Sequence, residues 1–519
     1  MAKETQTELS DLMVKLTNEK KSANAIQRHK HTDWNDNYEL YRNRVKTNRL
    51  TQRQAVTIPL MKETVKTLLA SIDDAPNVEW QELGGNEDKE IIYQELWNTL
   101  YRDNKVELID IQDKKNVLLY GIGTKMLNIS DTGIEIDTLD VFDVVFDPLM
   151  LNSQIETARF VVRQNIFRTI EEILADERYE KKGKRELERY LDTPAGLTQS
   201  DENRKRWRRK QERARDMGIN QNEDGMSMEN TLYAGGDRII NLTEHYTQIW
   251  DTKKKEYIKK VFTYADNHVL LLDQTVKEAI GVDFFPFVTW CEDPETNDIY
   301  SDGVADIVRT PNKVMNVWFS QLVENRTLKN FQMHWFTPVE GYTAQTYTPG
   351  PGVMIPAPPG ENINNVIKPV EVNGLDDTME AINYLTQIVE RGTGATALEK
   401  GESEVGAQTL GEVEILVGKA GERAVNMAKF YRLAWYETCV KWDAMMHANT
   451  PKLITLYKTA RSGKVYKKKI FASDWKSSEG YRPIVTSTSE QEQESINYAD
   501  VPRKHGIKEG FSIKNTRSS

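Results

Sequence analysis

The sequence predicts a mixed α+β, helix-rich fold, and three observations carry that expectation. Residues 303–447 set two helical stretches either side of a proline- and aromatic-rich excursion, then add a third, longer helix after a loop of small polar residues. Upstream of this run, beyond Tyr120, the apolar spacing changes from helical to alternating. The chain has 519 residues, too many for one ordinary core, so two to four domains are expected. The 303–447 run contains no catalytic signature. A helix that leaves, a knob that turns the chain round and a helix that returns describe a part of an assembly rather than an active site.

Composition narrows the class. Hydrophobic residues make up 39% and charged residues 29%, the balance of a globular protein with a large wet surface. No run of about 18 apolar residues occurs, so no membrane segment is expected. The opening MAKETQTELSDLM lacks the apolar core of a signal peptide. Cys291 and Cys439 lie too far apart to set a metal spacing and fit a reducing compartment. The net charge of −10 speaks against a protein that grips duplex DNA by its phosphates, which needs clustered basic surface. It suits a protein past which DNA slides without sticking. With 11 Trp and 21 Tyr, part of the aromatic supply is expected at subunit contacts.

Residues 5–28 read as a polar helix, and Trp34, Tyr38 and Tyr41 put three rings on one helical face. An amphipathic helix over 58–72 is stopped by Asp73-Asp74-Ala75-Pro76, after which 77–81 extends. Helices follow over 86–102 and 106–120. Strands are predicted over 121–129 and 134–146, joined by the turn Ser130-Asp131-Thr132-Gly133. Another strand is expected over 155–164. A helix over 169–179 is opened by Thr169 with Glu172, a capping box. Residues 180–237 are charged and poor in aliphatics, and read as a mobile helix with an irregular, flexible insertion. Strands return over 239–250 and 256–264, and a further apolar stretch over 284–290 closes this α/β region.

Thr310 followed by Pro311 is a helix start, an N-cap with proline at the first helical position. Val314, Trp318 and Leu322 then share a face. Residues 331–373 hold seven of the chain's 17 prolines, with Trp335, Phe336, Tyr342 and Tyr347, so helix gives way to a small β-rich knob. Asp377 with Glu380 opens another helix, whose apolar face includes Met379, Ile382, Leu385 and Val389. The last helix, from Leu410, repeats apolar residues at three and four; unbroken, it spans about 55 Å. Its first half is rich in Gly and Ala, its second in large rings. Short strands recur over 452–458, 464–471 and 482–488, and the end is polar.

In this order of elements the chain resembles the portal proteins of tailed bacteriophages, the head-to-tail connectors. The likeness covers roughly 34–490 and rests on organisation and diffuse motifs: Ile58-Pro59 before Ala75-Pro76-Asn77-Val78, Tyr120-Gly121-Ile122-Gly123, Val145-Phe146-Asp147-Pro148, and Phe285-Pro286-Phe287 leading to Thr310-Pro311-Asn312 and Asn316. The resemblance implies a wing over 1–302, a first stem helix over 303–330, a clip over 331–373 and a second, antiparallel stem helix over 374–391. It further implies a channel loop over 392–409, a long wing helix over 410–447, wing strands over 448–489, and a polar tail over 490–519 in place of a crown, which is short or absent. It implies a homo-oligomeric ring of twelve at one capsid vertex of the virion, assembled in the host cytoplasm. Double-stranded DNA would pass through it without sequence specificity. Terminase, a head-tail adaptor, and the major capsid and scaffold proteins would be its partners.

On that resemblance Glu399, Lys400, Glu402 and Glu404 belong to a loop facing DNA; on the residues alone they form an exposed linker. Trp335 and Phe336 either fill the knob's core or seat a neighbouring subunit. The basic run Arg204–Arg215, with Trp207, reads as a solvated helix face touching an acidic partner more readily than as a nucleic-acid site. Asp140, Asp143 and Asp147 resemble a carboxylate set, yet alternation in a strand takes Asp140 off the face of the other two. No HExxH, phosphate-loop or GxSxG motif occurs, so no metal, cofactor or catalytic residue is expected. An adaptor or capsid subunit is the rival reading, and a DNA-processing enzyme the more distant one.

Overall fold

The computed structural model describes residues 2–43, 56–72, 77–130, 133–150, 155–194, 239–251, 254–295, 298–330, 334–336, 367–370, 378–394, 410–449, 453–459 and 465–486, with residues 199, 203 and 206. The chain divides into two compact units. The first holds residues 1–34, 69–303 and 424–519; the second holds 35–68 and 304–423.

Helix α1 (Ala2–Tyr41) is one element of 40 residues. The sequence reading divides it into two, but no glycine or proline interrupts the stretch, so nothing stops the first helix before Trp34. Helix α2 (Leu60–Ser71) follows, then β1 (Asn77–Glu82), which alternates exposed and buried residues. Helix α3 (Glu87–Asp103) is capped by Asn86, whose side chain accepts from the Lys89 amide. Helix α4 (Val106–Tyr120) ends at Gly121, whose left-handed φ of 80° and contact with the Ser301 carbonyl leave no room for a Cβ.

Strands β2 (Gly123–Ser130) and β3 (Gly133–Thr138) form the predicted hairpin. The run expected to continue to Phe146 does not. Asp140 accepts from the Phe142 amide and starts a turn of 3-10 helix, and β4 (Val144–Phe146) enters a different sheet. The strand expected from 155 begins later, as β5 (Phe160–Thr169), because 155–157 form another short 3-10 turn. Helix α5 (Ile170–Ala175) opens with the predicted Thr169–Glu172 capping box. Helix α6 (Lys181–Leu191), inside the stretch read as a charged insertion, buries Leu187 and Leu191 in the same cluster as Leu271 and Leu272. Strands β6 (Ile239–Asp251), β7 (Glu256–Ala265) and β8 (Val269–Thr275), with α7 (Val276–Ile280), complete an antiparallel sheet of order β4-β5-β6-β7-β8. Strand β9 (Phe287–Trp290) joins the other sheet, β3-β2-β9.

Helix α1 covers the five-stranded sheet. Leu16 packs with Phe262 and Tyr264, and Ala23 with Val145, Phe160 and Val162. Gln27 donates to the carbonyls of Val141 (2.7 Å) and Val144 (2.8 Å). His245 on β6 is fully buried, with Nε2 2.9 Å from Glu19 of α1 and the Phe160 ring alongside. Burial lowers its pKa below the usual 6.5, although Glu19 pulls the other way. The folded state therefore favours neutral His245. Its contribution to stability is full above about pH 6.5 and is lost as pH falls through the folded value. We expect intrinsic-rate-corrected hydrogen exchange in α1 and β6 to speed up between pH 7 and 5, and His245→Gln to flatten that dependence.

Helix α8 (Val304–Asn330) starts six residues before the Thr310-Pro311 start read from the sequence, so that N-cap is overturned. Val304, Ala305 and Val308 are buried, which holds the helix on the N-terminal side of Pro311. Proline removes one amide donor, and the flanking turns persist. Short strands β10 (His334–Phe336) and β11 (Ile367–Pro369) pair antiparallel. Helix α9 (Thr378–Thr393) packs on α8. Helix α10 (Leu410–Ala448) is the predicted long helix. Strands β12 (Leu453–Thr459) and β13 (Val465–Phe471) form a hairpin, α11 (Ala472–Trp475) follows, and β14 (Tyr481–Thr486) pairs with β1.

The C-terminal part of α10 is tied into the first unit by charge as well as rings. Asp110 accepts from Tyr431 (2.7 Å) and Trp435 (3.0 Å) and pairs with Lys114 at 2.8 Å. Asp113 pairs with Lys125 at 2.5 Å and accepts from the Trp290 indole at 2.6 Å, with both charged side chains wholly buried. Trp442 lies among Trp80, Tyr93 and Trp97, with ring centroids 4.9–5.7 Å apart. Tyr481 of β14 stacks on Tyr93 at 3.8 Å.

Candidate functional site

The functional candidate in the sequence is the helix–knob–helix excursion, and it belongs to the second unit. Helix α8 leads to β10, β11 precedes α9, and the two strands pair. At the opposite end, Gly392 near the close of α9 packs so close to Ile307 near the start of α8 that a Cβ there would lie 3.0 Å from the Ile307 side chain. The two helices therefore run antiparallel.

Val314, Trp318 and Leu322 are half-buried on α8. On α9, Ile382 and Val389 are buried and Leu385 is half-buried, whereas Met379 is 48% exposed. Met379 does not join the packed face, since it lies in the helix's first turn. Trp335 and Phe336 are in β10, opposite Lys368 and Ile367. Tyr342, Tyr347, Glu399, Lys400, Glu402 and Glu404 lie outside the described residues, as does most of the Arg204–Arg215 run.

A polar ladder on α8 escaped the sequence reading as a unit. Asn312, Asn316 and Ser320 stand four residues apart on one face. Asn312 accepts from the Met61 amide (3.3 Å) and donates to the Ile58 carbonyl (3.1 Å). Asn316 accepts from the Ile58 amide (2.8 Å), and Ser320 accepts from the Val56 amide (3.1 Å) and donates to its carbonyl (3.3 Å). These bonds occupy the backbone groups of a segment that has no strand partner. Lys313 reaches Asp36 at 2.5 Å, and Asn37 donates to Asp306 at 3.0 Å, which fixes the end of α1 to α8. The signal in the sequence is a polar residue at every fourth position of a helix. Asn316→Ala removes the acceptor of a half-buried amide. We expect it to cost about 1–3 kcal/mol and to speed exchange of the Ile58 amide.

The carboxylates that resembled a metal set are structural. Asp140 caps a turn, Asp143 accepts from Asn165 (3.0 Å), and Asp147 takes a two-pronged contact from Arg159 at 2.7 and 2.9 Å. Burial raises the Asp147 pKa, but the Arg159 guanidinium and two amides outweigh it, and the net shift is downward. No group of three or more potential metal ligands occurs among the described residues. No described helix is long and apolar enough to cross a membrane.

The family described as Phage SU10 portal protein matches residues 20–436. The chain belongs to that portal family. The match runs from within α1 to within α10, and so includes both sheets of β2–β9, the antiparallel helix pair and the polar ladder. A comparison with curated proteins finds no match. Among solved structures, a chain described as the neck of an empty GTA particle computed with C6 symmetry is similar to this portal-family chain. It covers 89% of this chain and 90% of its own length, at 10% identity and a TM-score of 0.40.

Proposed function

We propose that the protein is the subunit of a ring at one capsid vertex, through which DNA enters during packaging and leaves during ejection. Membership of the portal family is the observation that carries this reading. The α8–β10–β11–α9 excursion supports it: α8 and α9 serve as the antiparallel stem and the β10–β11 knob as the clip. The clip is the docking place for terminase and then for head-completion proteins. An acidic subunit suits a conduit, because a bore without dense cationic charge does not accumulate phosphate contacts and their counterion-release affinity.

The test is the mass of the purified full-length protein by native mass spectrometry or mass photometry. A closed ring, twelve copies on this reading, is the expected result; a chain monomeric at all concentrations overturns it. The channel-loop assignment has its own test. Deleting 395–404 is expected to leave the ring intact and to impair packaging or retention of DNA. Normal packaging and retention by that variant removes the loop from the mechanism.

A further inference from the structure

The β6–β7 hairpin outreaches its sheet. Pairing of β6 with β5 ends at Thr247, and pairing of β7 with β8 begins at Lys260. One residue further, the Gln248 amide still donates to the Arg159 carbonyl (3.0 Å) and the Lys259 ammonium to the Asp283 carbonyl (3.0 Å); beyond that only the two strands remain, paired to each other as far as Asp251 and Glu256. At about 3.3 Å per residue this is a projection of roughly 10–13 Å, with strand edges that no other described strand covers. Trp250 and Tyr257 face each other across it, ring centroids 5.1 Å apart. Cross-strand packing accounts for that contact. It leaves Trp250 48% and Tyr257 67% exposed, flanked by exposed Lys254 and Lys255 at the turn. Glu256, 4.0 Å from Lys254, and Asp251, whose carboxylate accepts from the Lys254 amide at 3.3 Å, offset part of the charge. A Trp–Tyr pair beside two exposed lysines has the composition of a binding hot spot without its cover.

The same unit carries a surface of opposite character. The outer face of α3 exposes Glu87 and Asp88 in its first turn and, one turn on, Ile91, which is 60% exposed. Those carboxylates suit the helix dipole, but Ile91 gains nothing from standing in water between them. We propose that the β6–β7 tip of one copy docks on the outer face of α3 of a second copy, rings over Ile91 and lysines against Glu87 and Asp88. The contact joins two different surfaces of one chain, the heterologous kind that closes into rings. It rests on the ring reading above and names a contact within that ring.

The test uses full-length protein. Reversing the tip (Lys254→Glu with Lys255→Glu) or the acceptor (Glu87→Lys with Asp88→Lys) is expected to reduce the assembled fraction about tenfold or more at limiting concentration. Combining the two reversals should restore it, with monomer circular dichroism unchanged throughout. Because Cys291 and Cys439 are buried, Lys255→Cys with Asp88→Cys should give a ladder of disulfide-linked subunits on mild oxidation, and neither single variant should. Assembly untouched by either reversal, reversals that fail to rescue each other, or no ladder overturns the contact while leaving the ring reading standing. Loss of DNA binding by the tip variant with its ring intact also overturns it, in favour of nucleic acid as occupant. A wild-type chain that never assembles overturns the ring reading and this one together.

Discussion

Replacing Lys125 with methionine is expected to destabilise the first unit by about 3–5 kcal/mol. Lys125 and Asp113 are both fully buried and lie 2.5 Å apart. The ammonium also stands 4.9 Å over the Trp435 ring. Without it, Asp113 keeps the Trp290 indole and a Thr138 hydroxyl at 3.3 Å, two neutral donors against a full negative charge out of water. A carboxylate left this way costs far more than the pair contributes when intact, because both ions have already lost their hydration. The control follows from the same reasoning: Lys125→Met with Asp113→Leu removes both charges and should recover most of the loss. Urea unfolding followed by circular dichroism reads the difference. A single variant no worse than the double would mean that water reaches Asp113 in solution.

Trp442→Ala should cost about 3–5 kcal/mol and should loosen a distant piece of chain with it. Trp442 is fully buried and touches rings from β1 and α3 at once. Tyr93, one of those rings, stacks on Tyr481 and Trp475, and its hydroxyl donates to Asp443 at 2.5 Å. Removing the indole opens a cavity between α10 and the β1–β14 ribbon. Faster amide exchange over 481–486 is the specific sign. A global loss of stability with those amides unchanged would place the tryptophan in a separate cooperative unit.

Helices were legible where periodicity was clear or a local cap marked the start. Thr169 starts α5 where its side chain predicts, and the periodic stretches 86–102 and 106–120 fold as α3 and α4. Local chemistry misled where burial outweighed it. Thr310-Pro311 has every mark of an N-cap, yet Val304, Ala305 and Val308 bury their side chains and draw the helix back past the proline. The 134–146 run alternates well enough to read as one strand. Only the Asp140 side chain, bonding two residues ahead, breaks it into strands of different sheets. Long-range pairing left little trace. Nothing near Asn77 announces a partner at Thr486, and the polar ladder on α8 acquires meaning only when the 56–61 backbone lies against it.

The pairing of Asn77–Glu82 with Tyr481–Thr486 has a bearing on how the chain is made. A ribosome delivers the first strand some four hundred residues before its mate, so β1 waits while the rest of the first unit and residues 304–423 of the second are synthesised. A nascent polypeptide interrupted before residue 481 therefore cannot close the ribbon or seat Tyr481 on Tyr93. Incomplete products are left with a bare strand edge and one open face of Tyr93, which sets them apart from finished chains.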